Sequence, residues 1–187
     1  MRRSVTIAAA FAFGGVAAAL LYFAPGLQRA DPIAPNHSAW IETKWPFLMD
    51  QWGEGRAFEC KAAECGGELK LYIRSKIGFC SSATGVADDN ELERLSDFDL
   101  MKGASVALGD SHEVKIGWMK GRLRAYTIAS PNRPPASAIS IAYNNDSDAL
   151  VATVLLNNEQ PNAVEAAVIE FLSGKEMLRW VKITLGL

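Results

Sequence analysis

Histidine is scarce in this chain: His37 and His112 are the only two in 187 residues. Acid-base chemistry near neutral pH leans on imidazole more than on any other side chain, so a catalytic centre would have to rest on carboxylates that no motif pairs. Cysteine is almost as rare. The three residues Cys60, Cys65 and Cys80 include no C-x-x-C, which removes the thioredoxin-type motif and the compact paired-cysteine zinc motifs. A phosphate-cradling loop is missing too, because Gly14-Gly15 sit inside an apolar run and Gly66-Gly67 is followed by Glu68. Basic excess is absent as well: 19 Lys and Arg stand against 21 Asp and Glu, a poor match to a phosphate backbone. No nucleic-acid partner is expected.

Charge is also missing over one long stretch, and there the absence is informative. From Val5 through Phe11, Leu20 and Leu21 to Phe23, nineteen residues carry no charged side chain. As a helix rising about 1.5 Å per residue this run spans roughly 28 Å, the depth of a bilayer's hydrocarbon core. Residues 1–24 therefore read as a membrane anchor in contact with lipid. The small-x-small pattern of a cleavage site is absent at Tyr22-Phe23-Ala24 and at Gln28-Arg29-Ala30, which favours retention over removal. Arg2 and Arg3 precede the run, so by the positive-inside tendency the N-terminus stays cytoplasmic and the rest is exported. The expected location is a bacterial-type inner membrane, crossed once, with the C-terminal domain extracytoplasmic.

Residues 25–39, with three prolines and little apolar content, read as an extended linker, and 40–187 as the exported domain. The domain opens on Trp40, Trp45, Phe47 and Trp52. Aromatics at this density suit a protein interface or the lipid boundary as well as a core, and they are taken as a possible interface.

Covalent constraint is expected next. Ala57 to Cys60 is strand-like, Gly66-Gly67 supplies a turn, and Glu68 to Arg74 alternates strictly, with Leu69, Leu71 and Ile73 on one side. In an oxidising compartment Cys60 and Cys65, which flank the shortest loop, are the expected disulfide. Cys80 is left as a free thiol or a ligand. Zinc or Cu(I) held by the three cysteines and His112 is a weaker alternative, since the C-x4-C spacing is loose. No cofactor is expected.

Downstream, Asp88 to Met101 reads as one helix, capped by Asp88 with Glu91 three residues on. Its carboxylates, Asp88, Asp89, Glu91, Glu93, Asp97 and Asp99, read as a solvated face. Strands are expected at Glu113 to Met119 and Arg122 to Ile128 with a hairpin at Lys120-Gly121, at Ser137 to Tyr143, and at Ala149 to Leu156. That last run is apolar throughout, as in a central strand covered on both faces. A helix opens near Pro161, with Val164, Ala167, Val168, Phe171 and Leu172 forming its stripe, and ends at Gly174. Leu178 to Leu185 reads as a final strand. The fold class is α+β: a single N-terminal transmembrane helix, then one mainly antiparallel sheet with two helices packed on it.

Ser111 and His112 beside Asp110 suggest a hydrolase, but neighbours on an extended chain point to opposite faces, so a turn is the better reading of Gly109 to His112. Binding is thus expected ahead of catalysis. The leading expectation is an accessory protein that docks or scaffolds another protein of the same membrane; the alternatives are thiol or metal handling by the cysteines, and a hydrolase using Ser111 and His112.

Overall fold

The structure, a computed structural model, describes residues 39–79, 85–129, 134–157 and 159–187. In chain order come β1 (Trp40–Thr43), β2 (Arg56–Cys60), a one-turn helix α1 (Ala62–Cys65), β3 (Leu69–Lys76), α2 (Asp89–Leu95) and a 3-10 turn (Phe98–Met101). Then follow β4 (Ala104–Ile116), β5 (Met119–Ala129), β6 (Ala136–Asn145), β7 (Asp148–Leu156), α3 (Pro161–Leu172) and α4 (Lys175–Leu185). The strands form one antiparallel sheet in the order β1-β2-β3-β7-β6-β5-β4. The α+β expectation for the domain holds.

β7 lies in the middle of the sheet, between β3 and β6, and Ala149 to Val154 are buried on both faces. A strand flanked and covered everywhere meets no water, which is why its sequence does not alternate. On one face Leu69, Leu71 and Ile73 of β3, Ala152 and Val154 of β7, and Ile139 and Ile141 of β6 pack beneath the two long helices. The helices answer with Val164, Val168 and Leu172 from α3 and Met177 and Val181 from α4. Each fully buried aliphatic side chain here is worth roughly 1.5–3 kcal/mol. On the other face, Leu92 and Leu95 of α2 cover Ala142, Ala149 and Val151, while Phe98 covers Tyr126, Ile128 and Ala138.

Four sequence expectations are corrected. Leu178 to Leu185 belongs to helix α4 and not to a strand: Met177 and Val181, four apart, are the buried pair, and Ile183 is exposed. Val181, Ile183 and Leu185 also fit a period of two, so the short run was ambiguous until packing chose one face. The hairpin between β4 and β5 turns at Gly117-Trp118, not at Lys120-Gly121. Gly121 is instead a strand residue, where a Cβ would come within 2.1 Å of the Ala142 carbonyl oxygen, so glycine allows β6 to approach. Helix α2 stops at Leu95, with Asp88 capping it through the Glu91 N–H as expected. It stops because Ser96 bonds Ser140 on the sheet and Asp97 turns inward, and a 3-10 turn then carries Phe98 to Met101. Finally, Gly109 to His112 is no turn but a bulge inside β4, where the register shifts between Leu108 and His112.

Among the described residues, no helix is long and apolar enough to cross a membrane. The anchor expected from Val5 to Phe23, most of the linker, and Cys80 all lie outside the described residues.

Candidate functional site

The segment between β1 and β2 crosses the sheet face opposite α3 and α4, and its placement follows from a few contacts. Trp45 is buried, edge-on to Phe47 at 5.1 Å and to Tyr72 of β3 at 6.2 Å. Phe47 meets the same tyrosine at 4.9 Å. Further along, Asp50 accepts from Arg74 Nη1 on both oxygens, at 2.7 and 2.8 Å, and from the Trp52 N–H at 2.8 Å. Trp52 then packs edge-on to Phe79. Trp40 lies at the other sheet face, stacked on Phe171 of α3 at 4.7 Å. All four aromatics read as a possible interface thus have partners within the chain.

What remains outward is the tip between them. Leu48 is 87% exposed and Met49 70%. The tip is flanked by the Trp45, Phe47 and Tyr72 cluster on one side and the Asp50–Arg74 bond on the other, so two apolar side chains are presented on a braced segment. Beside it runs a groove of about 670 Å³ lined by Phe47, Tyr72, Leu100, Met101, Ile128 and Leu155, with Lys102 also at its wall.

Beneath the segment lies a charge cluster. Arg74 Nε and Nη2 donate to the two Asp97 oxygens at 2.8 and 2.6 Å, and Lys76 Nζ stands 2.9 Å from Asp97 while donating to the Leu95 carbonyl at 2.6 Å. Arg74, Lys76 and Asp97 are all buried. Burying two cations is tolerable only because Asp97 and Asp50 balance them and Arg74 reaches both carboxylates through charge-assisted hydrogen bonds. Burial pushes the Asp50 carboxyl up, but the Arg74 and Trp52 hydrogen bonds and the Arg74 and Lys76 charges together hold it below the usual range. The cluster locks the segment and α2 to the sheet.

Ser111 and His112 are placed apart. Ser111 turns toward α2, where its Oγ bonds Asp89 and accepts from Arg122 Nε, whereas His112 Nε2 meets Glu165 Oε1 of α3 at 2.7 Å on the opposite face. No hydrogen bond joins them among the described residues, so the arrangement serves packing of α2 and α3. The hydrogen bond from Ser111 leads the causes that hold the Asp89 carboxyl low, against burial and with help from Arg124 and Arg122. The acidic run read as a solvated face is therefore largely engaged: Asp89 and Glu93 pair with Arg124, and Asp97 is buried.

Cys60 and Cys65 are joined as a disulfide across α1, with both residues buried. In that state neither sulfur is a thiolate ligand. No group of three or more His, Cys, Asp or Glu side chains converges among the described residues.

Sequence reasoning missed Leu48, Met49, Asp50, Arg74, Lys76 and Asp97. A signal for the charged set did exist: Arg74 and Lys76 share one face of a half-buried strand, and an acid-rich helix follows. No protein-family model matches the chain, and no curated protein matches it. Among solved structures it is similar to the crystal structure of CalU16 from Micromonospora echinospora, at 11% identity and a TM-score of 0.26, over 79% of this chain and 94% of that one. A likeness that low carries no functional argument.

Proposed function

We propose that this chain is a membrane-anchored accessory protein whose folded unit, on the extracytoplasmic side, docks another protein of the same membrane. Val5 to Phe23 is the single anchor, with the N-terminus cytoplasmic, and residues 25–39 tether the sheet. The observation that carries the reading is the exposed pair Leu48 and Met49 on its braced loop. Exposed apolar side chains cost solubility, and held stiffly they lose little further entropy when a partner covers them, which is how anchor residues of interfaces act. The partner presents an apolar pocket for these two side chains.

Gentle solubilisation of membranes and copurification with the full chain tests this, comparing the parent with Leu48→Asp/Met49→Asp. The expected result is one membrane protein recovered with the parent and reduced at least about tenfold with the variant, while the thermal midpoint is unchanged. Recovery that is equal for both, or no membrane protein with either, overturns the proposal. Binding of the parent to protein-free lipid vesicles at the level seen with native membranes also overturns it, since a bilayer would then be the ligand.

A further inference from the structure

Two apolar features share the sheet face opposite α3 and α4, and one residue joins them. Leu48 and Met49 project from the braced segment, both strongly exposed. Phe47, the residue before them, is also a wall of the groove of about 670 Å³, together with Tyr72, Met101, Ile128 and Leu155. The tip does not fill this groove in its own chain. Phe47 is held edge-on to Trp45 and Tyr72 at 5.1 and 4.9 Å and Asp50 is bound to Arg74, so Leu48 and Met49 are pinned at both ends and neither lines the groove. An apolar projection and an apolar hollow thus lie side by side on one face, and covering either favours association.

We propose that a second copy of this chain covers both features, each molecule seating its Leu48 and Met49 in the other's groove about a two-fold axis that passes between tip and groove. Where a projection and a hollow are neighbours on one surface, the operation that places one tip in one groove places the other tip as well. The contact closes at two molecules and builds no filament. A different protein would have to bring a hollow for the tip and a projection for the groove in matching positions, whereas an identical chain carries both. Bracing helps as well, since a tip that is already held loses little freedom on insertion. The inference rests on the reading of Leu48 and Met49 as an interface and adds its regulation: the dimer keeps the tip covered until the membrane partner displaces the second copy.

Sedimentation of the full chain in micelles of a neutral detergent is expected to show a reversible monomer–dimer equilibrium. Leu48→Asp/Met49→Asp from the tip side and Met101→Glu from the groove side are each expected to raise the dissociation constant at least about tenfold. Met101→Glu, which frees the tip, is expected to recover at least as much of the membrane partner as the parent does. Sedimentation reads the dimer and copurification reads the partner, so the two readings fail separately. Met101 is half-buried, and cross-linking supplies a measure that does not depend on the fold of that charged variant. In a Cys80→Ser background, Met49→Cys mixed with Met101→Cys is expected to give far more disulfide-linked dimer under mild oxidation than either variant alone, because only a tip set in the other molecule's groove brings the two positions within bonding reach. A chain still monomeric at about 1 mM, a dimer indifferent to the tip variant, or cross-linking no greater in the mixture than in the single variants overturns the proposal. Loss of the partner with Met101→Glu also overturns it, since the groove would then belong to that partner.

Discussion

The two faces of the sheet are closed by different physics. Beneath α3 and α4 the contacts are almost wholly apolar, with Val164, Val168, Leu172, Met177 and Val181 set on Leu71, Ile73, Ile141 and Val154 and with Phe58, Tyr143 and Phe171 among them. Across the sheet, small patches under α2 and Phe98 flank a buried ionic cluster of Arg74, Lys76 and Asp97, joined at its rim by Asp50. The first face draws on the hydrophobic effect, which is indifferent to pH and to which partner sits where. Charges are directional, so the second face fixes the β1–β2 segment and α2 in one arrangement, at the cost of desolvating four groups. The face that carries the exposed Leu48-Met49 tip is the one held by geometry.

The largest effect that separates the faces should come from Arg74→Met. It removes the fork from Asp97 and leaves that buried carboxylate with Lys76 alone, and a loss of about 3 kcal/mol in urea unfolding is expected. The triple variant Arg74→Met/Lys76→Met/Asp97→Leu, which leaves none of the three buried charges without its partner, should lose less than Arg74→Met by itself, which would show that the unbalanced charge and not lost volume is responsible. Equal losses would make the cluster an ordinary packing feature.

A comparable loss is expected from Leu172→Ala on the helix face, again about 3 kcal/mol for a cavity in a dry core. Its distinguishing mark is the pH profile. Asp50 is held low in the fold, so it contributes stability that is full above the ordinary carboxylate range and is lost as pH falls through the depressed value. The parent and Leu172→Ala should therefore weaken in parallel between about pH 5 and pH 2, whereas Asp50→Asn starts lower at neutral pH and shows a shallower acid limb. Parallel limbs for all three would remove Asp50 from the account.

The smallest effect is on the helix face itself. Tyr143 is fully buried there, and its hydroxyl has no hydrogen-bond partner among the described residues; burial pushes its ionisation up. Tyr143→Phe should stabilise the fold by about 1 kcal/mol, because an orphaned polar atom is removed without changing shape. A destabilised variant would mean that the hydroxyl is bonded after all.

These contrasts also explain what could be read in advance. β3, β7 and α3 were legible because each repeats one period for long enough to leave no second interpretation: strict alternation, an unbroken apolar run, and a stripe opened by Pro161. The disulfide partners were readable from the short spacing between Cys60 and Cys65. α4 was not legible, since Val181, Ile183 and Leu185 satisfy a strand as well as a helix does. Nor was the β4–β5 turn, where Gly121 looked like a hairpin residue and proved to be the gap into which β6 fits. The aromatics after Trp40 drew attention to the right segment and to the wrong atoms, because large rings find partners within the chain and leave Leu48 and Met49 outside.

Local pattern by itself determined that this domain is a sheet with helices, which strand is central, and that imidazole chemistry is in short supply, because periodicity and composition are properties of neighbours along the chain. Tertiary structure alone decided which charges are buried, which side chains stay outward, and that Ser111 and His112 part company. Each of those depends on residues tens of positions apart meeting across a sheet, a distance over which local sequence pattern carries no record.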